Sequence, residues 1–196
     1  PGAVSTAGHI NQIVAGSDIG TSTTPVVIRA QKGVNILRAG AVSPSDQVTP
    51  VSAGNLYVNA TVNIGAPSTG TDGRIQRMRA VRFNNVGGDF GGSITAKSLT
   101  NSASTLDGIF VDHDMTGGIT LSNGLAANDC VFVGGSLTSP LTLTPANGLV
   151  GQVIINQTGG AGAWSSGVAV DGFTLSPSGS GDDIAPYYKR KSSDLG

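Results

Sequence analysis

Glutamate is absent from the chain: all 12 acidic residues are Asp. Charge is sparse as well, at 12% of positions, and no window of a dozen residues carries an apolar rhythm of 3.6. Helices draw on Glu, Lys and Gln, so little here favours one. No apolar run is long enough to span a bilayer. A net charge of −1 supplies no global pull towards nucleic acid or an acidic membrane. The basic and aromatic interleaving of a nucleic-acid binder is missing too. The single Cys130 cannot form an intrachain disulfide. It reads as a buried thiol, with an intersubunit disulfide as the sharper alternative.

What is present is glycine at 30 positions, with Thr, Val, Ile, Asn and Ser around it. These are the residues of strands and tight turns. The expected class is all-β, in one domain or one array large enough to bury a core. The chain starts Pro1-Gly2 rather than with Met, which reads as a product processed after export. The expected location is therefore extracellular or at the cell surface.

A repeat organises the second half. Ile109-Phe110-Val111 returns as Val131-Phe132-Val133 and again as Val153-Ile154-Ile155, each step being 22 residues. A second strand reads Ile119-Thr120-Leu121, then Leu141-Thr142-Leu143, with Val168-Ala169-Val170 continuing it. Corners read Asn123-Gly124-Leu125, Asn147-Gly148-Leu149 and Asp171-Gly172-Phe173, at steps of 24. Upstream, Val81-Arg82-Phe83 aligns with the first strand and Ile94-Thr95-Ala96 with the second. Leu56-Tyr57-Val58, Val34-Asn35-Ile36 and Val26-Val27-Ile28 read as older rungs. Short strands, positive-φ corners and one fixed register suit a parallel β-solenoid with rungs of 22–24 residues. A β-sandwich or jelly roll is the alternative, but it has no reason to hold one triplet in register. The expected organisation is an N-terminal extended segment (1–24), a solenoid (25–175) and a polar C-terminal strap (176–196).

The register, the Gly-Gly-x-Ile-Thr segments and the closing "GGAGAWSSGVAVDGFTLSP" (159–177) together resemble secreted bacterial β-solenoid repeat proteins, over roughly residues 80–177. That resemblance implies a right-handed parallel β-helix exported from the cell. It carries over no catalytic residue.

Strand periodicity assigns the faces. Ile94, Ile119, Leu141 and Val168 form an inner ladder, opposite a wet column of Thr95, Thr120, Thr142 and Ala169. In the first strand Ile109, Val111, Val131, Val133, Val153 and Ile155 share the inner side. Phe110, Phe132 and Ile154 then face out, and they are apolar too. A strand apolar on both faces needs cover on both, so these three residues are expected to form a self-assembly stripe. The stripe would end upstream at Arg82.

Chemistry is thinly represented. "DHD" (112–114), near Asp107, offers Asp112 and Asp114 as Ca²⁺ ligands, but the equivalent positions one rung on are Gly134 and Ser136. A solvated turn is therefore favoured over a Ca²⁺ site, and His113 and His9 form no triad. Arg74, Arg77, Arg79 and Arg82 in "GRIQRMRAVRF" would suit an acidic polysaccharide or phosphate. The plainer reading pairs them with Asp on adjoining rungs. The Thr column raises ice binding, which one column supports poorly. Asn59-Ala60-Thr61 and Asn156-Gln157-Thr158 match the glycosylation sequon, and Trp164 sits in an insertion.

The expectation is a non-enzymatic structural protein, without cofactor, whose subunits assemble into an extracellular fibre, sheath or surface layer. Its contacts would be rung ends, the outer stripe and the tail, with Tyr187 and Tyr188 seated on a neighbouring subunit. The alternative is a β-helix that binds or cleaves polysaccharide.

Overall fold

Val, Ile and Thr segments separated by Gly and Asn fold as strands, and the described residues contain no helix. The computed structural model describes residues 2–62, 73–99, 108–122 and 130–139. It also describes strand segments at 141–143, 152–155, 163–164, 168–170, 173–175, 179–180 and 183–184.

Two sheets, each of eight strands, hold most of the strand residues. The parallel part of the first sheet runs Ala3–Thr6, Val26–Ala30, Leu56–Val62, Phe90–Ala96, Gly118–Leu121, Leu141–Leu143 and Val168–Val170. In the second it runs His9–Ala15, Gly33–Ala39, Arg74–Ala80, Gly108–Val111, Cys130–Val133 and Gln152–Ile155. The chain visits the two sheets alternately, so each pass adds one strand to each. Both sheets start within residues 3–15, inside the segment that sequence set apart as an extended N-terminus.

The 22-residue register holds where it was read. Ile109, Phe110 and Val111 pair with Val131, Phe132 and Val133, and these pair in turn with Val153, Ile154 and Ile155. Ile94, Ile119 and Leu141 stack as expected. Two alignments shift. Ile109-Phe110-Val111 lies on Met78-Arg79-Ala80, not on Val81-Arg82-Phe83, so the outward column meets Arg79 rather than Arg82. The cause is alternation: Met78 and Ala80 point inward and are fully buried, whereas Arg82-Phe83 leaves the sheet to form a hairpin with Val86-Gly87. Its turn residues Asn84 and Asn85 have φ of 51° and 61°, as a two-residue type I′ turn requires. Leu141 pairs with Val170 rather than Val168.

Inward columns make the core. Leu37, Met78, Ile109 and Val131 lie in one register and are wholly buried. Ile28, Ala60, Ile94, Ile119 and Leu141 face them from the first sheet. Each large side chain so buried contributes about 1.5–3 kcal/mol. The corners Asn123-Gly124, Asn147-Gly148 and Asp171-Gly172 lie outside the described residues.

The last passes close differently. Phe173–Leu175 folds back antiparallel on Val168–Val170, and Asp183–Ile184 runs antiparallel to Ile154–Ile155. This part of the expected strap therefore pairs with its own chain. Tyr187 and Tyr188 lie outside the described residues.

Candidate functional site

A one-residue-wide ladder runs up the corner where the chain enters the first sheet, Leu56 and Phe90 being the first residues of their strands. Ile19 bridges to Leu56, Leu56 pairs with Phe90, Phe90 bridges to Met115, and Met115 to Leu137. All five are buried. The residue before each is polar: Asp18, Asn55, Asp89, Asp114 and Ser136. Four of these reach one pass onward. The Asn55 N–H donates to Asp18 Oδ1 at 2.7 Å, and the Asp89 N–H donates to Asn55 Oδ1 at 3.0 Å. The Asp114 N–H donates to Asp89 Oδ1 at 3.2 Å, and the Ser136 N–H donates to Asp114 Oδ1 at 2.8 Å. Each short polar side chain thus satisfies a backbone donor that the corner takes away from the sheets.

Midway up the column His113 joins two of its members. Its Nδ1 lies 2.7 Å from Asp89 Oδ1, and its Nε2 lies 3.8 Å from Asp114 Oδ1. Its own N–H donates to the Gly88 carbonyl, which fixes the backbone beneath the ring. All three side chains are about one-third exposed. Gly135 makes room for the upper carboxylate, since a Cβ there would collide with Asp114 Oδ1. Tyr57 lies against Gly91. Burial raises its phenol pKa, and the charges of Asp89 and Asp18 raise it further.

Asp112 stays apart from this group. The Arg79 guanidinium donates to it through Nε at 3.1 Å and Nη2 at 2.8 Å, and the Arg82 N–H adds a bond of 3.2 Å. Asp112 and Asp114, weighed as Ca²⁺ ligands behind a solvated turn, are split: Asp112 neutralises Arg79 of the preceding pass, and Asp114 faces Asp89 and His113. The upstream pass supplies the acidic neighbour that sequence did not find.

The four arginines are split as well. Arg79 also reaches the Val48 carbonyl through Nη1 at 2.7 Å. Arg74 pairs in register with Gly33 and Ser98 at the strand start, and Arg82 belongs to the hairpin. A residue not singled out from sequence, Arg38, lies directly beside Arg79 in the ladder. Burial lowers its pKa, and the neighbouring charges of Arg77 and Arg79 lower it further. Phe110 and Phe132 face outward and are half-buried, with ring centroids 6.4 Å apart at 35°. Cys130 is half-buried too. The backbone of Ile154 continues the Phe column, but its side chain lies outside the described residues.

The signal for the corner column was available as a dipeptide, an Asp, Asn or Ser followed by a large apolar residue: Asp18-Ile19, Asn55-Leu56, Asp89-Phe90, Asp114-Met115, Ser136-Leu137. Its uneven spacing hid it. Comparison with protein-family models, curated proteins and solved structures finds no match.

Proposed function

We propose that the chain is a non-enzymatic structural subunit, a right-handed β-solenoid that assembles into an extracellular fibre, sheath or surface layer. Strands fed alternately into two parallel sheets, with a corner ladder between them, support the coil. Parallel crossovers of this kind are right-handed in nearly all proteins. The observation that supports the assembly is the outer edge of Ala3–Thr6 and His9–Ala15, the outermost strands on one side of the two sheets. The Val27 and Gln31 N–H groups donate to the Gly2 and Thr6 carbonyls, so parallel geometry turns the peptide groups of Ala3 and Ser5 away from the sheet. Proteins blunt such edges with charge or proline. Neither Ala3–Thr6 nor His9–Ala15 contains Pro, Lys, Arg or Asp. Val4 and Val14 are exposed beside them. The half-buried Phe110 and Phe132 offer a lateral contact.

The test is Ser5→Pro, which removes an outward N–H and leaves the existing ladder intact. Wild-type protein is expected to form elongated assemblies by light scattering and negative-stain microscopy, and the variant to stay small with the same far-UV circular dichroism. A monodisperse wild-type monomer across micromolar concentrations would overturn the reading. A polysaccharide-binding face is the second reading, favoured by the Arg38–Arg79 stack beside Phe110. Retention on an acidic-glycan resin that Arg38→Ala abolishes would favour it.

A further inference from the structure

The corner column asks only for an oxygen at each level. Asn55 accepts its bond with no charge, and Ser136 takes the next position beyond Asp114. Carboxylates at 89 and 114, on successive passes, therefore bring two negative charges together that the ladder does not need. Holding like charges side by side, even one-third exposed, costs free energy unless a cation lies between them. The imidazole of His113 sits there, one nitrogen towards each. The donor atoms of Asp89, His113 and Asp114 all lie within 4.8 Å of one another. The ladder uses Oδ1 of both acids and leaves Oδ2 of each out of it.

The geometry points to a binding site for a divalent ion of the zinc type, held by Asp89, His113 and Asp114 and joining two successive passes of the chain. One imidazole nitrogen with two carboxylates suits a borderline ion, since Ca²⁺ takes oxygen ligands alone. Zinc with three protein ligands keeps a water in the fourth place. Two ligand atoms on a tetrahedral ion stand roughly 3.3 Å apart, and one ion takes one imidazole nitrogen. With Nδ1 as the ligand, its 2.7 Å gap to Asp89 Oδ1 opens by about half an ångström, and the Asp114 carboxylate, whose Oδ1 lies 3.8 Å from Nε2, turns its Oδ2 in towards Nδ1. The ladder bonds from the Asp114 and Ser136 N–H groups hold both carboxylates in orientation, as outer partners do in metal sites. The His113 backbone bond to Gly88 limits how far the ring can swing.

The column itself supplies the discriminating variant. Asp89→Asn keeps the acceptor that Asn55 already provides one level below, so the fold is retained while a charged ligand is lost. Zinc chloride titrated into the full chain in a calorimeter is expected to bind once per chain and raise the melting temperature. Asp89→Asn and His113→Ala should each weaken binding by about tenfold or more with unchanged circular dichroism, and His9→Ala should bind as wild type does. Absence of zinc binding, binding unaffected by both ligand variants, or equal binding of calcium chloride would each overturn the site. None of these outcomes depends on whether the subunits assemble.

Discussion

Asp46 shows how single side chains shape the loops. Its carboxylate accepts the Thr49 hydroxyl and the N–H groups of Val48 and Thr49, closing the 43–50 segment on itself. Those bonds, with the Thr49 hydroxyl the largest contributor, lower its pKa from 3.8 to about 2. A depressed carboxyl pKa gives a contribution that is present above the unfolded value. It is lost as pH falls through the folded one. The loop should therefore hold until the pH drops from about 4 towards 2. Carbon-detected NMR titration should place the Asp46 midpoint near 2, and Thr49→Val should raise it. A wild-type midpoint at 3.8 would contradict the assignment. Residue-scale chemistry of this sort was poorly legible in the sequence. "DHD" looked like one acidic group, yet the chain turns between its members and sends Asp112 to Arg79 and Asp114 to Asp89. The two carboxylates find partners 33 residues back, at Arg79, and 22 residues on, at the Ser136 N–H, and no local pattern names them.

At the scale of the strand, the two faces of one triplet make opposite claims. Ile109 is wholly buried between Met78 and Val131, whereas Phe132 faces outward beside Phe110. Ile109→Ala should cost about 2–5 kcal/mol through lost transfer energy and the cavity left behind. Phe132→Asp should cost clearly less, chiefly the ring pair at about 0.5–1.5 kcal/mol, while reducing assembly. Denaturant midpoints and light scattering on the two variants check this. A larger stability loss for Phe132→Asp would invert the face assignment. The in-and-out pattern here was readable because the spacing stays at 22 residues through Ile109, Val131 and Val153. Upstream it widens: Leu37 pairs with Met78 and Met78 with Ile109, 41 and 31 residues on. Hairpins at Ala41–Ser52 and Arg82–Gly87 are inserted at the corners of these passes. Such insertions leave the ladders intact and erase the periodicity, which is why sequence alone favours Val81-Arg82-Phe83 over Met78-Arg79-Ala80.

At the scale of the sheets, the outermost described strands differ between the two sides. Short antiparallel strands cover the last parallel strands, whereas Ala3–Thr6 and His9–Ala15 present uncharged edges. On the proposed assembly, strands would add at the outer edges of Ala3–Thr6 and His9–Ala15, with the Phe110 and Phe132 column as the lateral contact. Residue-resolved amide hydrogen exchange, run over a range of protein concentrations, tests this most directly. The Ala3 and Ser5 amides should exchange fast in dilute protein and become protected as assemblies form, while amides bonded within the sheet stay protected throughout. Equal, fast exchange of Ala3 and Ser5 at every concentration would contradict assembly through this edge.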